Sequence, residues 1–166
     1  MKRSLVVLSL VSLVFVGVGA AAVQKGDTEL DFAGSLQFIN YAGDTDNETL
    51  FTVLGRLGYF VTDNIQVGVV ASGTWTEGDD LYGIGALGKY HFMPTNQLVP
   101  YIGGQAQYEF GDGDGLMWGP LAGVRYELNP TNDFFVEYQF QLFTGDLDDE
   151  YDSIHGVFFG IVHQFK

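Results

Sequence analysis

The chain contains no cysteine, which excludes a disulfide framework, a thiolate metal site and the acylated cysteine of a lipoprotein. Basic residues are also few: seven lysines and arginines stand against 21 aspartates and glutamates, for a formal net charge of −14 over 166 residues. Such a chain repels phosphate backbones, so nucleic acid is not expected as a partner. Disorder is not expected either, because 46% of the residues are hydrophobic, 15% are aromatic and 23 are glycines.

One long hydrophobic run is present, and it lies at the N-terminus. Lys2 and Arg3 precede an uncharged apolar run over residues 5–19, and three alanines follow at positions 20–22. This order is typical of a signal peptide with a small-residue cleavage site. An uncleaved anchor is the alternative, but the run is at the short limit for a spanning helix and no cationic stop follows it. We therefore predict a signal peptide over residues 1–22, secretion to the periplasm, and one mature domain over residues 23–166.

In the mature domain, polar and apolar residues alternate with a period of two, and no helical period competes with this pattern. The segments that show it are Thr28 to Tyr41, Thr49 to Val61, Ile65 to Thr76, Leu81 to Phe92, Val99 to Phe110, Leu116 to Leu128, Phe134 to Phe143 and Ile154 to Phe165. Each is long enough for a tilted membrane strand, and eight is the smallest usual strand count of a closed outer-membrane barrel. A soluble lipocalin-like barrel has the same count, so the number of strands does not decide between them.

The chemistry of the two faces favours the membrane barrel. Leu30 and Phe32 share one face of the first segment, while Glu29 and Asp31 share the other. A soluble barrel would turn the apolar face inward, where so many Phe and Tyr side chains would have to fit a narrow lumen. A membrane barrel turns it outward to lipid. We predict an all-β fold: a monomeric, eight-stranded, antiparallel up-and-down transmembrane β-barrel with both termini in the periplasm.

Aromatic residues of the apolar face collect near the strand ends, as expected for two girdles at the membrane interfaces. One set lies near the predicted outer ends: Trp75, Tyr82, Tyr108 and Trp118. The other lies near the periplasmic ends: Tyr59, Tyr90, Phe92, Tyr126, Phe134 and Phe165. Three Pro- or Asn-containing turns at residues 62–64, 93–98 and 129–133 should face the periplasm. Because proline cannot donate to a ladder, Pro120 predicts a disrupted ladder near the outer end of the sixth strand.

A known family fits this pattern. The hairpin segment from Leu57 to Gly68 resembles the hairpin signature of the small bacterial outer-membrane β-barrel domains, which include outer membrane proteins A, X and W and the opacity proteins. The last segment also resembles the family's C-terminal assembly signal, with an aromatic Phe165 and apolar residues at alternate positions before it. Two departures are Lys166 after the aromatic and His163 at a position usually aromatic or aliphatic. The resemblance implies recognition by the barrel assembly machinery and residence in the bacterial outer membrane.

The polar face carries the main candidate site, a charge network inside the lumen. Its predicted members are Glu29, Asp31, Arg56, Lys89, Glu109, Arg125, Glu127 and Glu137. A hairpin at the third turn would place Arg125 nearly opposite Glu137. Because desolvation costs several kcal/mol per unpaired ion, these charges need partners. The expected arrangement is an ion-pair plug that closes the lumen; the alternative is a small gated pore, in which the same charges separate to admit ions or small solutes.

The four outer connections are acidic and offer carboxylates of the kind that Ca²⁺ and Mg²⁺ bind. The candidate residues are Asp44, Asp46, Glu48, Asp112, Asp114, Asp146, Asp148 and Asp149. No connection matches a full twelve-residue calcium loop, and solvated hairpin tips explain the same residues. If divalent ions bind, they could bridge these loops to the phosphates of lipopolysaccharide, which acidic loops alone would repel. Otherwise no cofactor is expected.

Two further functions are weaker alternatives. Ser153 and His155 could serve as nucleophile and base of a lipid A-modifying enzyme, with Asp152 or Glu109 as the orienting acid. This spacing arises easily by chance, and no catalytic residues are assigned. An adhesin usually has longer outer loops than the four to eight residues found here. The sequence therefore favours a non-enzymatic outer-membrane protein with a role in envelope structure, in contact with membrane lipid and lipopolysaccharide.

Overall fold

A computed structural model describes residues 23–39, 48–75, 80–111, 114–145 and 153–165. They form the eight predicted strands, whose limits differ from the prediction by at most two residues. The strands are β1 (Thr28–Ile39), β2 (Glu48–Phe60), β3 (Ile65–Trp75), β4 (Asp80–His91), β5 (Leu98–Gly111), β6 (Gly115–Asn129), β7 (Asn132–Gly145) and β8 (Ser153–Phe165). Within these described ranges, no helix is long and apolar enough to cross a membrane.

The strands form one closed antiparallel barrel in sequence order, as predicted. Each pairs with the next along the chain, and β8 returns to β1 through a ladder that runs from Thr28 opposite Phe165 to Ser35 opposite Phe158. Closure pairs the first and last strands, so neither is left as an edge open to another chain. The same closure places alternate residues of every strand in a shared interior, which is where the site lies.

The barrel has an apolar outside and a polar inside. Exposed fractions of 52–62% occur for large outward side chains such as Phe32, Val69, Ile84 and Ile102. In contrast, the lumen buries most of its charged side chains, and Glu137 is fully buried. Water-soluble barrels have the opposite arrangement, so this polarity suits a lipid environment.

Side chains fill much of the lumen. One apolar cluster contains Ala33, Leu54, Phe135, Phe158 and Val162. A second, toward the outer end, contains Met117 and Phe143 with Leu81 and Ile154 packed against them. The remaining interior is polar, and it holds the candidate site described below.

The turns predicted to face the periplasm, called the periplasmic turns below, are tight and stabilised by side chains. The hydroxyl of Thr62 accepts a 2.9 Å hydrogen bond from the Ile65 amide. The turn between β6 and β7 is shorter than predicted, because the strands extend to Asn129 and resume at Asn132. The Asn129 side-chain oxygen accepts a 3.1 Å hydrogen bond from the Thr131 amide, which holds this two-residue turn.

Pro120 interrupts the ladder between β6 and β7. Pairing reaches Trp118 opposite Leu142 and resumes at Leu121 opposite Gln139, so Gly119 and Pro120 lie in a gap of an otherwise unchanged register. The predicted local disruption is therefore present, because proline has no amide hydrogen to donate. The shift of register on β6 lies elsewhere, between Glu127 and Asn129 beside the periplasmic turn.

Candidate functional site: the charged lumen

An ion pair between β2 and β7 forms the centre of the lumen. The Arg56 guanidinium donates to both carboxylate oxygens of Glu137, from Nη2 at 2.6 Å and from Nη1 at 3.1 Å. Tyr101 and Gln139 donate further hydrogen bonds to Glu137, at 2.9 and 2.7 Å. Two-point pairing of this kind is stronger and more directional than a single contact, so it fixes both side chains across the barrel.

Lys89 on β4 joins the same cluster. Its Nζ lies 3.2 Å from Asp31 Oδ2 and 3.6 Å from Glu137 Oε2. The ammonium also lies 5.0 Å from the ring centroid of Tyr101, within the range of a cation–π contact. Arg56, Lys89, Asp31 and Glu137 form what we call the central cluster, in which two positive charges balance two negative charges.

Arg125 forms a second cluster toward the periplasmic end. Its guanidinium binds both oxygens of Glu29, at 2.7 and 3.1 Å, and its Nε donates to Asp133 at 2.6 Å. Gln66 donates to Glu29 at 2.8 Å, and Gln164 donates to Asp133 at 3.1 Å. We call this set the periplasmic cluster. Its one guanidinium is shared by two buried carboxylates.

Arg125 and Glu137 lie on the same face of the β6–β7 ladder, two positions out of register, but they do not pair with each other. The β6–β7 register places Phe135 opposite Arg125 and Gly123 opposite Glu137. The Arg125 side chain instead contacts Glu29 on β1, while Glu137 pairs with Arg56 on β2. Partner choice across a lumen depends on barrel closure, which brings together strands distant in sequence.

Sequence reasoning missed Asp133, which it assigned to a turn rather than to the lumen. The extension of β7 to Asn132 places Asp133 on the inward parity, where its side chain is buried. The alternation of polar and apolar residues could have predicted the inward position of Asp133, since Asp133 lies an even number of residues from Glu137. The predicted network was limited to charged residues and so left out Gln66, Gln105 and Gln139, which are also buried in the lumen.

The two remaining predicted members lie apart from both clusters. Glu127 has inward parity but is only half-buried near the periplasmic turn. Glu109 is buried in the outer half of the lumen, and its Oε1 has no hydrogen-bond partner among the described residues. Glu109 makes no ion pair with a described lysine or arginine of the clusters.

Voids between these side chains are small. One of about 10 Å³ lies against Glu29, Asp31 and His91, between the two clusters. Another of about 40 Å³ lies in the outer half, against Glu109 and Gln107. A water molecule needs roughly 10–15 Å³ on this measure, so these voids hold one to a few waters each. Side chains thus fill the lumen at the level of the clusters.

The predicted girdle residues face outward near the strand ends, with exposed fractions from 37% for Trp75 to 51% for Tyr108. The outer set includes Trp75, whose ring lies 6.1 Å from Phe51 and 6.4 Å from Tyr82 between ring centroids. Outward aromatic residues of the periplasmic end are Tyr59, Tyr90, Phe92, Tyr126, Phe134 and Phe165. Two bands of rings therefore border the apolar surface.

Most of the acidic outer-loop residues lie outside the described part of the chain: Asp44, Asp46, Asp112, Asp146, Asp148 and Asp149. Glu48 and Asp114 lie at the edges of the described ranges, at the start of β2 and just before β6. Among the residues that are described, no group of three His, Asp or Glu side chains is placed to hold a metal ion.

Ser153 and His155 lie on the outward face of β8. His155 Nδ1 is hydrogen-bonded to the Tyr138 hydroxyl, and its ring lies 4.9 Å from that of Phe140 between centroids. Glu109 is inside the lumen, so the barrel wall separates it from His155, and the suggestion that it orients this histidine is wrong. Asp152, the other suggested acid, lies outside the described residues.

Fold, polarity and a side-chain-filled lumen together define an eight-stranded β-barrel of the outer-membrane type. Neisserial surface protein A has the same fold, with a TM-score of 0.64 and 16% identity over 86% of this chain and 97% of that one. The N-terminal barrel domain of Pseudomonas aeruginosa OprF matches with a TM-score of 0.58 and 17% identity over 86% of this chain and 99% of that one.

A de novo designed transmembrane β-barrel matches with a TM-score of 0.59 and 20% identity over 87% of this chain and 99% of that one. At these identities the likeness concerns the fold alone. No protein-family model and no curated protein sequence matches the chain.

Proposed function

We propose that the mature chain is an integral protein of the bacterial outer membrane with a structural role and a closed lumen. The observation that carries this proposal is the bidentate Arg56–Glu137 pair, which crosses the lumen and is 0–1% exposed. Lys89 and Tyr101 contact the same carboxylate, so opening a path here requires several contacts to break together. Separating a buried pair leaves an uncompensated charge at a cost of about 3–5 kcal/mol, which favours the closed state.

Single-channel recording tests the closed lumen. The mature protein is refolded in detergent, its folding is verified by heat-dependent gel mobility, and it is inserted into planar bilayers beside an Arg125→Ala variant. A folded wild-type protein that stays silent supports the proposal. Discrete conductance steps that change with Arg125→Ala would overturn it in favour of a charged pore.

A small gated pore is the second candidate function. It is supported by the composition of the plug, which consists of side chains on the strands themselves. Some of its polar atoms, including Asp31 Oδ1 and Arg56 Nε, have no hydrogen-bond partner among the described residues. Such side chains can change rotamers without unfolding the barrel. If the pore proposal holds, Lys89→Gln should increase the frequency of openings, because it removes one charge that bridges Asp31 and Glu137.

The proposal includes the route to the membrane and the partners there. Residues 1–22 would direct secretion to the periplasm, and β8 would be recognised by the barrel assembly machinery through Phe165. The apolar outside would contact membrane lipid, and the protein would act as a monomer. A catalytic or adhesive role is not proposed, since the outward Ser153 and His155 have no acid partner among the described residues.

Calcium or magnesium ions at the acidic outer loops form a separate proposal. Lipopolysaccharide is anionic, and the predicted loops are acidic, so divalent ions are needed to link the two. Limited proteolysis of the refolded protein with and without EDTA tests this. Faster cleavage within residues 40–47 or 146–152 after EDTA supports bound ions, and identical cleavage would end the proposal.

A further inference from the structure

The outer half of the lumen contains a compartment that neither ion-pair cluster occupies. Ser72 on β3, Gly83 on β4 and Glu109 on β5 lie opposite one another in the two ladders. A Cβ atom added at Gly83 would overlap both Ser72 Oγ and Glu109 Oε1. The missing side chain at Gly83 therefore makes room for the serine hydroxyl and the carboxylate to meet inside the barrel.

Glu109 has no cationic partner among the described residues. The residue is 4% exposed, and its Oε1 has no hydrogen-bond partner in the described part of the chain. The hydroxyl of Ser72 contacts both Gln107 Oε1, at 3.1 Å, and the Glu109 carboxylate, and its single proton can be donated to only one of them at a time. The described lumenal cations are engaged elsewhere: Arg56 with Glu137, Lys89 with Asp31, and Arg125 with Glu29. When Glu109 is ionised, the compartment thus holds one negative charge that no described lysine or arginine balances.

The chemistry around this charge suits a hard metal cation. The polar residues that line the void of about 40 Å³ are Glu109, Gln107, Gln141, Thr52, Ser72 and Thr74, whose side chains carry carboxylate, amide and hydroxyl oxygens. Oxygen ligands of these types are those that alkali and alkaline-earth ions prefer. Leu81, Met117, Phe143 and Ile154 are among the apolar side chains of the walls, and a largely apolar lining strengthens the attraction of the carboxylate to a counter-ion. The void is too small for an organic cation with more than a few heavy atoms.

We propose that this compartment binds a monovalent metal cation, with Glu109 as its charged ligand. One positive charge neutralises the single carboxylate, whereas a divalent ion would leave an uncompensated positive charge in a largely apolar space. This site is distinct from the acidic outer loops, where several carboxylates per connection favour divalent ions. Cation binding here requires only that the barrel is folded, so the tests of cation binding and of the structural role can fail independently of each other.

Nuclear magnetic resonance of the refolded, ¹⁵N-labelled mature protein tests the proposal. Choline chloride is replaced stepwise by sodium or potassium chloride at constant ionic strength, and the amide signals of Ser72, Gly83 and Glu109 are followed. We expect saturable shifts of these signals, absent in Glu109→Gln and retained in Glu127→Gln. The second variant is the matched control, because it removes the same charge at the periplasmic end.

Other outcomes overturn the proposal. These are no saturable shift in the wild type, the same shift in Glu109→Gln, saturation with calcium chloride alone, or a response to pH without a response to sodium or potassium. If Glu109→Gln fails the heat-dependent mobility assay for folding, Ser72→Ala is tested in its place. Ser72→Ala keeps the charge of Glu109 and removes one hydroxyl oxygen that faces the carboxylate. Ser72→Ala should weaken binding several-fold, and unchanged binding would exclude the compartment as the site.

Discussion

At the residue scale, buried charges in this barrel are tolerated because each described guanidinium meets a carboxylate in two-point geometry. Arg56 binds Glu137 and Arg125 binds Glu29 in this way, in each case across the lumen from one strand to another. A buried ion pair is not in itself a strong source of stability, because desolvation offsets much of the attraction. Its loss is costly nonetheless, since the remaining partner stays buried and charged.

Arg56→Met should therefore destabilise the folded barrel by about 3–5 kcal/mol, because it deprives Glu137 of both guanidinium contacts. Urea unfolding of the refolded protein in lipid vesicles measures the change. Adding Glu137→Gln to Arg56→Met should recover part of the loss, as it removes the uncompensated charge. A double variant as unstable as the sum of the two single variants would contradict this coupling.

Close approach of neighbouring strands makes some glycines irreplaceable. A Cβ atom added at Gly119 would overlap the carbonyl oxygen of Phe140 on β7, whereas one added at outward-facing Gly88 would lie 3.9 Å from its nearest neighbour, the Gln66 carbonyl oxygen. Gly119→Ala should cost about 1–3 kcal/mol through displacement of the backbone. Gly88→Ala is the control and should change stability by less than about 0.5 kcal/mol. Equal unfolding midpoints for the two variants would contradict the argument.

At the element scale, β6 is the most irregular strand. It is 15 residues long, its ladder to β7 is interrupted at Gly119 and Pro120, and its register shifts between Glu127 and Asn129. On its other side the ladder to β5 is continuous past Pro120, which lies opposite Gly104. The interruption is therefore confined to one seam of the barrel, between β6 and β7.

Replacing Pro120 by valine should strengthen that seam, because valine supplies the amide hydrogen that proline lacks and favours strand geometry. One restored hydrogen bond contributes about 0.5–1.5 kcal/mol. Hydrogen exchange should show slower exchange for amides of β6 and β7 that flank the gap, with no change in the β1–β2 seam. Unchanged exchange beside the gap would mean that proline is not the cause of the interruption.

At the scale of the whole molecule, the apolar exterior defines the solvent that this fold requires. Val69 lies near the middle of β3 and is 57% exposed, between the outer and periplasmic aromatic bands. In a bilayer, an arginine at such a depth costs about 2–4 kcal/mol, while the cost falls toward zero near the interfaces.

Val69→Arg should thus lower the folded fraction in lipid vesicles, while Thr95→Arg in the exposed turn between β4 and β5 should leave it nearly unchanged. Heat-dependent gel mobility after refolding at graded urea concentrations measures both. If the wild-type chain instead remains monomeric in water without detergent, and Val69→Arg folds as well as the wild type, the membrane assignment is wrong.

The sequence by itself determined the number, order and approximate limits of the strands, because alternation with a period of two directly indicates which residues share a face. It also determined that Arg56, Lys89, Arg125 and their acidic candidates face one side, and that Pro120 disturbs a ladder. A local pattern, however, contains no information on which inward side chains meet across a closed lumen.

Tertiary structure alone decided the pairing of Arg56 with Glu137 and of Arg125 with Glu29 and Asp133. It also showed that Glu109 lies beside a void without a cationic partner among the described residues, while Glu29, Asp31 and Glu137 each have one. The physical reason is barrel closure: residues 81 and 96 positions apart in the chain become hydrogen-bonded neighbours only when β8 pairs with β1 and the strands tilt around a common axis.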